Sequence, residues 1–471
     1  MFFGREKELA VLERLFTRAR TQFQMAVVYG RRRVGKTALL AEFSRNKRSL
    51  FFTAQQKSNP LNLRSFSRAL YELAGMPPSA GAFETWDDAL SFLAETCRAA
   101  QEPTVIVFDE FPYAAQSEPS LPSSVQIAID HLFANVPALL ILCGSNEGFM
   151  ESEVLGSKSP LFGRRNAQIR LRPFDYLDAS RFIPYASPED LIKYYATFGG
   201  TPYYLEQIDP QRSYRENVES LFFDLSGILY AEPEMLLRQE LREPANYSSI
   251  LDAVGSGATI PKAIAERAGV EEAHTRGYLS TLVDLGLIRR DVSFGENPLT
   301  SRKGLYSIAD PFFAYWYRFV SPNIGSVEAG AGSLVADRAT NGEALSTYIG
   351  QQFELVCMQW VQRQNALGRL PLLASSFGKW WGTDPVARER ADIDLIAANL
   401  SERIGLFGEC KWRNVVNESE ALETLERRAC AVKGIEQRTF ALFTKEAASE
   451  GTRKKADARD DLMLVCAEDL F

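Results

Sequence analysis

Apolar residues along this chain change period several times, and each change marks an element. In "QMAVVYGRRRVGKTALLAEF" (24–43) a continuous apolar run breaks into a glycine- and arginine-rich turn and resumes at helical spacing. That pattern predicts a buried strand, a turn and a helix. "TVIVFDEFPYAA" (104–115) and "ALLILCGSNEGFM" (138–150) read as two more buried strands, each ending in polar residues. Between 245 and 320 three helically spaced segments, with a turn at Ala268-Gly269, precede two short strands. A helix is predicted for "LSTYIGQQFELVCMQWVQRQ" (345–364). "RADIDLIAA" (390–398) then alternates apolar and polar, so Asp392 and Asp394 share one face of a strand, and "RIGLFGECKW" (403–412) puts Glu409 and Lys411 on one face of the next. "AGMPPSAGA" (74–82) and "SEPSLPSS" (117–124) read as surface loops, and "SPNIGSVEAGAGSL" (321–334) as a hinge.

The first turn carries chemistry. Gly30-x4-Gly35-Lys36-Thr37, after a strand and opening a helix, is a complete Walker A motif. Glycines let backbone N–H groups wrap phosphates, Lys36 reaches the β and γ oxygens, and the Thr37 hydroxyl joins the Mg²⁺ shell. Gly30, Arg33, Val34, Gly35, Lys36, Thr37 and Ala38 are the expected nucleotide contacts there. Asp109 and Glu110, closing the second strand, have the order of a Walker B pair: Asp109 for Mg²⁺ and Glu110 as the base that polarises the attacking water. Ser145 and Asn146 end the third strand, where a polar sensor of the γ-phosphate or an ordinary Ser-Asn turn both fit. Arg164 and Arg165 follow a loop rich in Gly, Ser and Pro; Arg164 reads either as an arginine finger or as part of a solvated basic pair.

Composition narrows the partners. With 471 residues the chain exceeds a single core. Fifty-three Lys and Arg against 60 Asp and Glu give −7, so any nucleic-acid contact has to be local. The longest apolar runs fall well short of the roughly 20 residues that span a bilayer. "MFFGREKEL" lacks signal-peptide architecture. Six scattered cysteines and two histidines show no zinc spacing, and a reducing cytoplasm is the expected location, with no membrane partner.

From "FFGREKEL" through "YGRRRVGKT", "FDEF", "CGSN", "LFGRR" and "FGGTPYYLEQ", residues 1 to about 210 resemble the archaeal-type AAA ATPases, within the wider STAND and AAA+ group of P-loop NTPases. The resemblance implies ATP and Mg²⁺ as cofactors. It puts Phe3, Gly4 and Arg5 at the adenine pocket, and Gly200 and Pro202 in a helical lid near the nucleotide. The 245–320 segment is similar to a winged helix-turn-helix whose recognition helix starts near Glu271. The acidic pair Glu271-Glu272 in its first turn leaves DNA reading and protein contact both open.

Two strands in a hairpin bring Asp394, Glu409 and Lys411 together. That layout resembles the PD-(D/E)xK nuclease core, with Asp394 as first acid, Glu409-Cys410-Lys411 as the ExK element and Glu354 as the helix-borne glutamate; no Pro precedes the first Asp. Asp394, Glu409 and Glu354 are then the expected metal ligands, with Lys411 orienting the attacking water. The expected fold is α/β: a P-loop ATPase core (1–175), a helical lid (176–244), a winged helix-turn-helix (245–320), a linker (321–344) and a restriction-endonuclease-like domain (345–471). The expected partners are ATP, DNA or another nucleic acid, and a second copy of the chain. Two functions stay open: ATP-gated, Mg²⁺-dependent action on nucleic acid, or a nucleotide-switched signalling or scaffold ATPase with an inactive tail.

Overall fold

The computed structural model describes residues 2–77, 81–384 and 386–471. The chain divides into two compact units, Met1–Pro173 and Phe174–Phe471.

The first unit is a five-stranded parallel sheet in the order β2-β3-β4-β1-β5, built from β1 (Gln24–Tyr29), β2 (Ser49–Thr53), β3 (Thr104–Asp109), β4 (Ala138–Gly144) and β5 (Ala167–Arg170). Every residue of β1, β3 and β4 is buried, which is why these strands read as unbroken apolar runs. α1 (Glu6–Arg18) and α2 (Lys36–Ser44) cover one face through Leu12, Leu15, Leu39 and Leu40. α3 (Asn59–Leu73) and α4 (Trp86–Arg98) cover the other, where Phe52, Phe66, Trp86 and Phe108 interlock. β3, β4 and β1 are neighbours, so their carboxyl ends open onto one crevice, where open parallel sheets bind ligands. The loop expected at 117–124 is partly helix, because Leu121 is fully buried and Pro122 suits a helix's first turn. The loop expected at 74–82 lies partly outside the described residues.

In the second unit short helices over 176–240, including α5 (Pro188–Phe198), lead to α6 (Pro244–Gly255), α7 (Pro261–Ala268) and α8 (Glu272–Asp284). An antiparallel hairpin follows, β6 (Ile288–Asp291) and β7 (Leu305–Ile308). The hinge expected within 321–344 is instead helical. α9 (Gly332–Thr340) buries Val335, Ala336 and Ala339, and Asp337 pairs with Arg215 at 2.5 Å. Its glycine serves packing: a Cβ on Gly332 would lie 2.0 Å from the Phe223 carbonyl oxygen. α10 (Gly342–Ala366) then lies on one face of a second sheet, order β12-β11-β10-β9-β8, and α11 (Glu418–Ala429) on the other. Its strands are β8 (Ser376–Thr383), β9 (Arg390–Asn399), β10 (Ile404–Lys411), β11 (Gln437–Thr444) and β12 (Leu462–Cys466), antiparallel from β8 to β10 and parallel from β10 to β12. One apolar cluster runs from Phe174 to Leu470, so the modules expected as separate domains after residue 175 share a core.

Candidate functional site

Local backbone geometry explains the residue types at the first crevice. Gly30 sits at φ 154°, and a Cβ there would be 2.3 Å from the Leu171 carbonyl oxygen. Gly35, at φ 89°, turns the chain into α2, whose first N–H groups face outward as an anion site. Lys36 Nζ donates to the carbonyls of Gly30 (2.7 Å) and Arg31 (3.1 Å). The Thr37 hydroxyl donates to Asp109 Oδ2 at 2.9 Å, which joins the two expected Mg²⁺ contacts of β3 and α2. A hydroxyl beside a buried carboxylate is the oxygen donor set that suits Mg²⁺. Ala38 is exposed on α2, and the Val34 side chain is fully buried in the core, which leaves its backbone as the part that can meet a ligand. Arg33 takes φ 71° within the loop.

Glu110 occupies the left-handed region (φ 50°), which aims its side chain across the crevice to β4. Its Oε2 accepts from Ser145 Oγ at 2.9 Å and from the Ser145 N–H at 3.3 Å. The polar link after β4 is therefore made by Ser145. Asn146 is exposed and caps the following helical turn, accepting from the Phe149 N–H at 3.0 Å. Glu147, buried beside it, has its pKa raised by burial and is paired with Arg170 at 2.5 Å, a pair with no sequence motif to announce it.

Three further expectations are corrected or refined. Arg5 (φ 69°) is a brace, donating through Nη2 to the carbonyls of Val34 (3.0 Å) and Arg172 (2.7 Å), which ties the phosphate loop to the segment after β5. Gly4 is buried and Phe3 half-buried just before α1. Arg164, expected as a finger or as part of a basic pair, is engaged inside its own unit: Nε and Nη2 grip Asp130 at 2.9 and 2.7 Å, and Nη1 donates to the Pro160 and Phe162 carbonyls. Gly200 and Pro202 lie in the second unit. Pro202 opens a short helix, and a Cβ on Gly200 would lie 1.8 Å from the Phe174 carbonyl oxygen, so packing alone accounts for this glycine.

The second candidate site lies at the end of the β9–β10 hairpin. Paired residues run from Asn399↔Ile404 to Leu395↔Gly408, and at the next position Asp394 Oδ2 takes the Cys410 N–H at 2.9 Å in place of a ladder bond. On the other side of β9, Gly378 faces Ile396 while Trp380 faces Ile393, so three β9 steps oppose two β8 steps. Asp394 sits in that bulge, a device that re-aims a side chain. Burial, then the Glu354 and Glu409 carboxylates, push its pKa up to about 7. Glu409 is buried; its Oε1 pairs with Lys411, while Oε2 has no hydrogen-bond partner among the described residues. Burial opposes the Lys411 charge, but Glu409 outweighs it and the lysine pKa is raised.

Glu354 is engaged by Lys379 of β8. Among the described residues no three His, Cys, Asp or Glu side chains gather closely enough to hold a metal ion. The expected Asp394–Glu409–Glu354 ligand set is thus not gathered to that closeness, and two of its three acids are paired with lysines, Glu354 with Lys379 and Glu409 with Lys411. The hairpin does bring Asp394, Glu409 and Lys411 to one strand end.

Comparison with known proteins bears on both units. A model of an ATPase domain predominantly from Archaea matches residues 2–208, and one of Archaea bacterial proteins of unknown function matches 316–424. Over 416 residues, 88% of each chain, the sequence is 30% identical to an uncharacterized protein, MJECL04, of Methanocaldococcus jannaschii. Among solved structures, the Walker-type ATPase PABY2304 of Pyrococcus abyssi is similar at 20% identity and a TM-score of 0.47, covering 67% of this chain and 96% of its own. The Aeropyrum pernix ORC1 protein, in complex with DNA, is similar at 16% identity and a TM-score of 0.36, covering 69% and 95%. No helix among the described residues is long and apolar enough to cross a membrane.

Proposed function

Because the chain belongs to the family of archaeal-type P-loop ATPases, and is an ATPase, we propose that it couples ATP hydrolysis to action on nucleic acid through its C-terminal sheet. In this reading the backbone N–H groups from Gly30 to Thr37 wrap the phosphates, and Lys36 leaves the Gly30 and Arg31 carbonyls for the β and γ oxygens. Thr37 and Asp109 would hold Mg²⁺, which would supply charge neutralisation for the transferred phosphoryl group. Glu110 accepts the proton of the attacking water, and Ser145 keeps its carboxylate oriented. Arg5 holds the loop's carbonyl side still.

The helices α6 to α8 followed by the β6–β7 hairpin support a winged helix-turn-helix, and the mixed sheet flanked by α10 and α11 supports a nuclease-like fold. One observation carries the nucleic-acid reading: a half-buried Asp394 crowded by two further carboxylates, next to a Glu409 oxygen without a hydrogen-bond partner among the described residues, is a site short of positive charge. Asp394 and Glu409 are the residues that would take a divalent cation, and Glu354 would join them on leaving Lys379. Lys411 would hold the attacking water.

The test is Mg²⁺- or Mn²⁺-dependent cleavage of single- and double-stranded DNA and RNA by the full chain with ATP. Cleavage that disappears in Asp394→Asn is expected, and no cleavage of any substrate overturns the reading. The ion pairs Glu354–Lys379 and Glu409–Lys411 favour the second reading, a switch ATPase whose tail only binds a partner. That reading predicts ATP turnover with no cleavage.

A further inference from the structure

Apart from the phosphate loop and the carboxylates, the second unit holds a cleft of about 450 Å³. Its walls are the end of α6, the β6–β7 hairpin, the helical segment 311–320 that carries Ala314 and Arg318, α10 and β8. The volume falls within the roughly 300–1,000 Å³ of small-molecule sites. A neighbouring hollow of about 200 Å³ shares Arg289, Asp291, Glu354 and Lys379 with it.

The walls are fixed relative to each other. The Phe294 N–H donates to the Lys379 carbonyl at 2.7 Å; Ser293 Oγ donates to the Trp381 carbonyl at 2.9 Å and accepts from the Trp381 N–H at 3.0 Å. The segment after β6 thus continues the edge of β8 and is bonded to the sheet. A cleft held this way loses little conformational entropy on binding.

Its charges are unequal. Arg289 is paired with Asp291 at 2.9 Å and Lys379 with Glu354, whereas Arg318, exposed on the wall, has neither an ion-pair nor a hydrogen-bond partner among the described residues. The Ser307 hydroxyl, behind the hairpin wall, is buried without a hydrogen-bond partner among those residues and is not reached from the cleft. Gln351 contributes an amide and Trp381 a half-buried indole.

A guanidinium free for a phosphate, an amide for polar edges and an indole for stacking are together the recognition set of one nucleotide. We propose that this cleft binds a nucleoside 5′-phosphate, either free or as the terminal unit of a strand. It touches the tail reading only through Glu354, and binding here requires no cleavage.

The test uses the full chain carrying Lys36→Ala, which silences the phosphate loop. Thymidine 5′-monophosphate and short oligothymidylates with and without a 5′-phosphate are titrated by calorimetry. Binding is expected, dependent on the phosphate and weakened about tenfold or more by Arg318→Glu, which removes the charge-assisted contact. It should also be lost in Thr259→Trp, which fills the cleft from an exposed lining position. Preference for the monophosphate identifies a free nucleotide as the source, and preference for the phosphorylated oligomer a strand end. The same two substitutions with Lys36 intact should leave ATP turnover unchanged, and if either fails that control, Arg318→Ala takes its place. No binding of any probe, or binding unaltered by the substitutions, overturns the proposal. Absent cleavage with intact binding removes only the nuclease reading.

Discussion

In the proposed assignment, single side chains in the first crevice divide the work between grip and reaction, and their variants should separate. Lys36→Ala removes a charged donor to phosphate, an expected loss of about 2–3 kcal/mol, or roughly 30- to 150-fold in the Kd for ATP, measured by titration with a fluorescent analogue. Glu110→Gln should bind ATP normally while single-turnover phosphate release slows by roughly 10²–10⁴, the usual worth of a general base. Ser145→Ala should cost only about tenfold in that assay, because the Ser145 N–H still holds Glu110 Oε2. Asp394 has a pH signature. Its folded pKa, about 7, lies above the unfolded value of about 3.9, so the stability it contributes is complete below about pH 4 and is lost as pH rises through 7. Asp394→Asn keeps the acceptor for the Cys410 N–H and removes the charge. Its thermal midpoint should match wild type near pH 4 and exceed it at pH 8, by an amount on the order of a few kcal/mol in stability. Equal midpoints at pH 8 would mean that Asp394 is not crowded by Glu354 and Glu409.

At the scale of elements, the periods in the sequence were a good guide both where a strand is buried on its two faces and where polar and apolar residues alternate. β1, β3 and β4 are buried on both faces and stand out as apolar runs, while the β9–β10 hairpin was legible as alternation that places Glu409 and Lys411 two residues apart. Asp394 shows where alternation stops being informative, since the bulge against β8 and the bond to Cys410 arise from register with neighbouring strands. Gly332 shows it again: the run of glycines and serines reads as a hinge, yet the missing side chain lets α9 approach the Phe223 carbonyl. Gly332→Ala should therefore destabilise by about 1–3 kcal/mol through overpacking, seen as a lower denaturant midpoint. A flexible hinge would instead tolerate or gain from alanine.

At the scale of the whole molecule, Arg164 decides how subunits matter. With its donors on Asp130 and two local carbonyls it holds its own unit together, so Arg164→Ala should keep more than about half of wild-type turnover, and turnover per chain should not change with protein concentration. Recovery of hydrolysis on mixing Arg164→Ala with Glu110→Gln chains would restore the finger. What the sequence determined by itself is the phosphate loop, the Asp109–Glu110 pair and the order of strands and helices around them. Each of these depends on residues close in the chain and on backbone conformations that only certain side chains permit. Only the tertiary structure decided that Ser145 rather than Asn146 meets Glu110, that Arg5 and Arg164 are braces, that lysines occupy Glu354 and Glu409, and that a cleft opens between the hairpin and α10. In each case the partners come from distant segments, or the outcome turns on which of two neighbouring side chains faces the site, and local composition is silent on both.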